Sequence, residues 1–177
     1  INDSNFSREL PPGECFETPE AVLCHSGKGF GGLSANMHAF VTDHIIPPHW
    51  RGRPRPVLYN SWEGCTFDFS QRRLLSLANR AKALGCELFV LDDGWFAGRD
   101  NDRAGLGDYT VNRKKLPEGL EGLSRHLKDK GLSFGLWFEP ESVNPDSDLY
   151  RAHPDWMLAA PGRRSSHGRN QYVLDFS

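Results

Sequence analysis

Two pairs of carboxylates follow apolar runs in this sequence. Asp92 and Asp93 end the run at residues 87–91, and Glu139 and Glu141 follow a second run. Carboxylates beside aromatic rings are typical of sugar sites, because a ring stacks on the sugar while the carboxylates accept hydrogen bonds from its hydroxyls. Two carboxyl pairs taken alone suggest glycoside hydrolysis. In a retaining enzyme of that class, a nucleophile and an acid/base stand about 5–5.5 Å apart.

Each pair also has a simpler interpretation. Adjacent side chains on a strand face opposite ways, so Asp92 and Asp93 can share one pocket only if the strand turns there, and Gly94 allows such a turn. A polar pair could merely end a strand, but Trp62 and Trp95 fall close to the same predicted rim, which favours a functional site. For the two glutamates, catalysis and pairing with a rim arginine remain equally open.

Two further residues are ambiguous by spacing alone. Trp137 lies inside an apolar run, where a tryptophan is more often core than pocket wall. Arg169 precedes the last apolar run, and most loop arginines are solvated.

Metal and cofactor chemistry has little support. The four cysteines have no C-x-x-C spacing, and the seven histidines form neither a ligand pattern nor a Ser-His arrangement. We therefore predict no metal and no cofactor. Cys65 and Cys86 adjoin apolar runs and are expected to be free buried thiols, although disulfides stay possible.

Composition and charge limit the kinds of partner that this chain can bind. The 177 residues are 38% hydrophobic and 25% charged with a net charge of −2, so no basic surface for nucleic acid or anionic membrane is expected. No apolar run approaches the roughly 20 residues that span a bilayer. The first residues carry no signal pattern, which leaves the compartment open with a slight preference for the cytoplasm.

The elements that must position these residues fall into three predicted parts. Residues 1–24 are turn-rich with short β-like stretches near 15–18 and 21–24. Residues 25–56 contain a helical pattern over 33–44 and a proline-rich connection. Residues 57–177 alternate strands with helices.

This alternation predicts a parallel sheet in an α/β fold. Ser70 is expected to cap the first helix, with Leu74, Leu77, Ala78, Ala81 and Leu84 as its inner face and Gly85 at its end. A second helix should begin near Pro117 and end at Gly131. The predicted strands are residues 57–62, 87–91, 133–138 and 172–176.

The sheet could be open and doubly wound or closed into a barrel. Polar, aromatic or acidic residues end each of the first three strands, as at the mouth of a (β/α)8 TIM barrel, and no glycine-rich nucleotide loop supports the open sheet. A full barrel needs about 250 residues, so we predict its first part.

Seven sequence blocks in order resemble the α-galactosidases of glycoside hydrolase family 36, and the resemblance runs from about Leu10 to Ser177. The blocks are NSWE at 60–63, FVLDDGWF at 89–96, LGDY at 106–109, FGLWFEPE at 134–141, NPDS at 144–147, HPDW at 153–156 and GRNQ at 168–171.

The resemblance implies a retaining hydrolase of terminal α-linked galactose that acts on raffinose- and melibiose-type sugars. It also implies an N-terminal β-sandwich that ends in residues 1–24, a (β/α)8 barrel, a C-terminal β-domain and a homotetramer. An α-galactoside is then the expected ligand, with neither nucleic acid nor membrane as a partner.

The resemblance also assigns site residues. Those implied to bind galactose are Trp62, Asp92, Asp93, Trp137 and Arg169. The family nucleophile is the aspartate of a Lys-Trp-Asp block, and its acid/base is an aspartate further on; neither block occurs here. Asp175 is therefore not the nucleophile, and Glu139 and Glu141 become residues of the rim or residues that support the pocket from behind. We expect this chain to carry no catalytic residue and to be inactive alone. The alternatives are a galactosyl-transferring relative and a non-catalytic sugar-binding module.

Overall fold

The computed structural model describes residues 7–160, 162 and 168–176. The chain divides into two compact units, residues 1–54 and 55–177. Within the described residues, every helix is too short or too polar to cross a bilayer.

The first unit is helical. Its long helix, α1, spans Gly29–Phe40 and continues as a π-helix over Val41–Ile45, before a short 3-10 helix over Pro48–Trp50. The helix predicted over 33–44 is thus confirmed. The β-like stretches predicted near 15–18 and 21–24 are wrong, because these residues are irregular and pair with no strand in the part of the chain that the structure describes. That residues 1–24 end a β-sandwich stays a prediction.

The second unit is built on a parallel sheet. Strands β1 (Leu58–Asn60), β2 (Leu88–Leu91) and β3 (Ser133–Leu136) lie in the order β1-β2-β3, with Tyr59 opposite Phe89 and Phe89 opposite Phe134. The α/β class and three of the four predicted strands are confirmed.

Two longer helices lie between these strands, the first of them after the one-turn helix α2 (Trp62–Cys65) that follows β1. Helix α3 spans Gln71–Ala83 between β1 and β2, and the Ser70 Oγ caps it by accepting the Arg73 N–H at 3.3 Å. Helix α4 spans Gly119–Asp129 between β2 and β3 and starts two residues after the predicted Pro117. Both helices end near a glycine in the left-handed region, Gly85 and Gly131, as the sequence predicts.

The core lies between the sheet and these helices. The fully buried side chains of Leu74, Phe89, Leu91, Leu123 and Leu127 form its centre. Leu84 was predicted to share this face, but it is 84% exposed because it forms the C-cap of α3, beyond the last helical turn.

The fourth predicted strand does not extend the parallel sheet. Residues 172–176 contain β5 (Tyr172–Val173), which pairs antiparallel with β4 (Ser142–Val143) in a separate ladder. Its other edge bonds residues 156–158, through Leu158 N to Val173 O at 2.9 Å. Both hydrogen-bonding edges of this run have partners outside the parallel sheet, so the prediction of a fourth parallel strand at 172–176 is wrong. Helix α5 (Asp148–Ala152) and a 3-10 helix (Pro154–Trp156) separate β4 from β5.

Candidate functional site

A cleft of about 540 Å3 lies where the three parallel strands end. Its walls are Asn60, Trp62, Glu63, Asp92, Asp93, Trp137, Phe138, Glu139, Glu141 and Arg169. All five residues that the sequence assigned to sugar binding, Trp62, Asp92, Asp93, Trp137 and Arg169, are therefore brought together. The carboxyl ends of parallel strands meet at one edge, which explains why residues so distant in sequence converge.

Trp62 belongs to a helix rather than to the predicted strand 57–62. β1 ends at Asn60, and Trp62 begins the one-turn helix α2 (Trp62–Cys65). The Asn60 Oδ1 accepts the Trp62 backbone N–H at 2.8 Å, and this turns the chain away from the sheet. The indole packs edge-on against Phe67 at 5.1 Å between centroids, which fixes its orientation at the cleft.

Asp92 is half-buried and held by neutral donors. Its Oδ2 accepts the Asn60 Nδ2–H at 2.6 Å, and its Oδ1 accepts the Asp93 backbone N–H at 2.8 Å. The Ser61 Oγ in turn accepts the Asp92 N–H at 3.0 Å. The carboxylate therefore faces the cleft with its charge unpaired by any of these contacts.

Asp93 is only 6% exposed and forms a buried ion pair with Arg99. The Arg99 Nε donates to both carboxylate oxygens, at 2.9 and 3.1 Å, and Nη2 donates to Oδ2 at 2.8 Å. Gly94 follows with a φ of +95°, and its N–H donates to Asp93 Oδ1 at 2.7 Å. This turn lets both aspartates line one cleft, as the sequence predicted.

Sequence reasoning missed Arg99 and Lys115. Arg99 is 1% exposed, and the Lys115 ammonium donates to the carbonyls of Phe67, Gly94 and Arg99 at 3.0 to 3.3 Å. Arg99 lies in the polar loop that follows the apolar run at 87–91, and Lys115 lies just before the helix predicted to begin near Pro117. The only available signal was a cation six residues after an aspartate pair that needs a partner once buried.

Aromatic rings support the wall that carries Trp137. The Trp95 indole donates to the Trp137 carbonyl at 3.0 Å and packs edge-on against Phe138 at 5.3 Å. Tyr109 contacts Trp95 and Phe138 and accepts the Glu139 N–H at 3.2 Å. Burial raises the pKa of Tyr109 to about 12, so this phenol stays protonated near neutral pH. Trp137 therefore lines the cleft, and its backbone is held by the packed aromatic rings of Trp95, Tyr109 and Phe138.

Glu139 and Glu141 line the cleft together with Arg169; Glu139 is half-buried and Glu141 is exposed. Glu139 accepts a hydrogen bond from the Gln171 amide rather than from an arginine. Arg169 and Asn170 have φ values of +54° and +62°, a tight turn that precedes β5.

The cleft has five carboxylates and one guanidinium among its lining residues. Carboxylates accept hydrogen bonds from hydroxyls and the arginine donates them, so the arrangement suits a neutral, hydroxyl-rich ligand stacked on Trp62 or Trp137. Among the described residues, no cluster of three or more histidine, cysteine, aspartate or glutamate side chains could hold a metal ion. All four cysteines are free thiols, with Cys65 buried and Cys86 partly buried.

The chain is similar to known glycosidases. The melibiase family profile matches residues 15–177. The α-galactosidase AgaA of Geobacillus stearothermophilus is 50% identical over 177 residues, which are all of this chain and 24% of that protein. The chain thus spans about a quarter of the length of this curated relative.

Two solved structures resemble the fold. An AgaA variant in complex with 1-deoxygalactonojirimycin has a TM-score of 0.80 at 50% identity, covering 85% of this chain and 21% of that one. A second AgaA variant, in complex with raffinose, has a TM-score of 0.77 at 51% identity, covering 81% and 20%. The resemblance to the α-galactosidases of glycoside hydrolase family 36 is confirmed, and the chain belongs to the melibiase family.

Proposed function

We propose that the whole protein containing this chain is an α-galactosidase that hydrolyses terminal α-linked galactose from raffinose- and melibiose-type oligosaccharides. The observation that carries the proposal is the cleft in which Trp62, Asp92, Asp93, Trp137 and Arg169 converge. The relatives whose structures contain 1-deoxygalactonojirimycin and raffinose support galactose and its α-linked oligosaccharides as the ligand class.

Within this function, the chain supplies recognition rather than bond cleavage. Asp92 and Asp93 accept hydrogen bonds from galactose hydroxyls, Trp62 and Trp137 contact the apolar face of the ring, and Arg169 donates to an oxygen. Bonds that strengthen as the sugar distorts toward the oxocarbenium-like transition state contribute several kcal/mol, so binding residues affect the rate.

The chemical steps follow double displacement with retention. An aspartate outside these 177 residues attacks the anomeric carbon, the acid/base protonates the leaving oxygen, and water then releases galactose. Glu139 and Glu141 remain at the rim. The Glu139 carboxylate already accepts a hydrogen bond from the Gln171 amide, which supports a role for Glu139 outside the bond-cleaving steps.

The remaining architecture is part of the same proposal. The parallel order β1-β2-β3, with the cleft at the carboxyl ends of the strands, is consistent with the first part of a (β/α)8 barrel. We also propose that residues 1–24 end a β-sandwich domain and that the whole protein is a homotetramer, because the resemblance to the family implies both.

An activity assay tests the proposal. The whole protein should release p-nitrophenol from p-nitrophenyl α-galactoside and galactose from raffinose, and it should leave the β-anomer of the chromogenic substrate intact. The first galactose released should be the α-anomer when followed by NMR. The 177-residue chain alone should show no turnover.

Three outcomes would contradict the proposal. Saturable galactose binding with no hydrolysis would identify a sugar-binding module. Exclusive transfer of galactose to added sucrose, with no free galactose, would identify a transferase. Turnover by the 177-residue chain would place the catalytic groups inside it.

A further inference from the structure

The feature that the proposed function leaves unexplained is a buried polar network beneath the cleft. Arg99 and Asn144 are 1% and 0% exposed and contact each other, with Arg99 Nη1 donating to Asn144 Oδ1 at 2.8 Å. Burying a guanidinium and an amide is unfavourable unless every group is bonded. The contribution of Arg99 is therefore expected to lie in positioning the groups that it bonds.

Asn144 uses its full hydrogen-bonding capacity. Its Oδ1 accepts from Arg99 and from the Leu106 N–H at 2.9 Å, and its Nδ2 donates to the carbonyls of Asp102 at 3.2 Å and Asn170 at 2.8 Å. Two acceptor and two donor positions are all that an asparagine side chain has. Its orientation is thus fixed by four residues, three in the loop at 99–106 and one in the turn at 169–170.

The network joins two walls of the cleft. At one end, the Arg99 fork grips both oxygens of Asp93. At the other end, the Asn144 amide holds the carbonyl of Asn170, in the left-handed turn that presents Arg169. Asp93 and Arg169 are 76 positions apart in sequence, yet the buried side chains of this network link the Asp93 carboxylate to the carbonyl of Asn170, the residue that follows Arg169.

Arg99 is itself held in place by further hydrogen bonds to its side chain and to its backbone. Its Nη1 donates to the Ala104 carbonyl at 3.2 Å, and its own carbonyl accepts from the Lys115 ammonium at 3.3 Å. Lys115 also holds the Gly94 carbonyl at 3.0 Å, so the turn after Asp93 is fixed by a second cation. The loop between Gly94 and Ala104 therefore forms a rigid support.

We propose that Arg99 and Asn144 are positioning residues that hold Asp93 and the Arg169 turn in one geometry for galactose. This proposal rests on the proposed function of the cleft. Neither residue lines the cleft, so both act through Asp93 and Arg169. Lysine cannot replace Arg99, because an ammonium lacks the planar fork that fixes both carboxylate oxygens.

The test is a double-mutant cycle in the whole protein, with kcat/KM for p-nitrophenyl α-galactoside measured per folded molecule. Arg99→Lys should lower kcat/KM about 100-fold, since a misplacement of about 1 Å has that effect. In an Asp93→Ala background, the same change should have a much smaller further effect, because the bond to Asn144 is then the one link to the cleft wall that Arg99 still holds. Asn144→Ala should mainly raise KM, since it frees the turn that presents Arg169.

Leu127→Ala is the matched control. It removes a fully buried side chain of α4 and should lower the melting temperature at least as much as Arg99→Lys, with kcat/KM per folded molecule unchanged. Fully additive effects of Arg99→Lys and Asp93→Ala, or near-normal kinetics of Arg99→Lys, would overturn the inference. If Arg99→Lys does not fold, Asn144→Ala decides alone, and an unchanged KM overturns it. An inactive wild-type protein would instead overturn the proposed function, and the inference with it.

Discussion

Replacing Asp93 with alanine in the whole protein should lower kcat/KM by about 100- to 1000-fold and also destabilise the fold. The kinetic loss follows from removing a carboxylate that accepts hydrogen bonds from the sugar. The loss of stability follows because Arg99 keeps its charge, 1% exposed, with its partner gone. Breaking such a buried pair costs about 3–5 kcal/mol, which thermal unfolding would measure.

A second substitution separates these two effects. In Asp93→Ala/Arg99→Met, the unpaired charge is gone and an apolar side chain of similar length fills the space, so the melting temperature should recover much of its loss. The kinetics should stay as poor as in the single variant. Near-normal kcat/KM in Asp93→Ala would remove Asp93 from the sugar site, whatever the stability data show.

Replacing Asp92 with alanine should lower kcat/KM to a similar degree with a much smaller loss of stability. Asp92 is half-buried and bonded by the Asn60 amide and a backbone N–H, so its removal leaves no buried charge behind. The Asn60 amide is exposed and can bond water once the carboxylate is gone, so no buried donor is left without a partner by its loss. Kinetics and thermal unfolding on the same preparation measure both quantities.

Asp68 offers the matched control for Asp92. Its carboxylate is 95% exposed and accepts from Arg73 at 3.1 Å, but it does not line the cleft. Asp68→Ala should leave kcat/KM unchanged and alter stability by about 1 kcal/mol at most. Equal kinetic losses in Asp68→Ala and Asp92→Ala would indicate a general effect of surface charge rather than a sugar contact.

Much of the fold could be predicted from sequence because it follows local rules. The apolar run before Asp92 gave β2, and the Ser70 cap and Gly85 gave the limits of α3 to within two residues. The rules failed where pairing depends on distant residues. Residues 172–176 have a strand-like composition, yet whether they join the parallel sheet or the β4 ladder is decided by what lies beside them.

In the candidate site too, some residues could be predicted from the sequence and others could not. Asp92, Asp93 and Trp62 could be chosen from their places at converging strand ends, whereas Trp137 and Arg169 could be chosen only because their sequence blocks resemble a known family. Their support could not be predicted. Arg99 and Asn144 are 45 positions apart in sequence, and no periodicity links an arginine in a glycine-rich loop to an asparagine before a proline.

The most direct test of the central claim is a crystal structure of the whole protein with galactose bound. In that structure the sugar should lie in the cleft at the ends of β1, β2 and β3, with carboxylate oxygens of Asp92 and Asp93 about 2.6–3.2 Å from ring hydroxyls. Trp62 or Trp137 should contact the apolar face of the sugar, and Arg99 should still grip Asp93. Galactose bound elsewhere, or bound in this cleft without contact to either aspartate, would rule out Asp92 and Asp93 as galactose-binding residues.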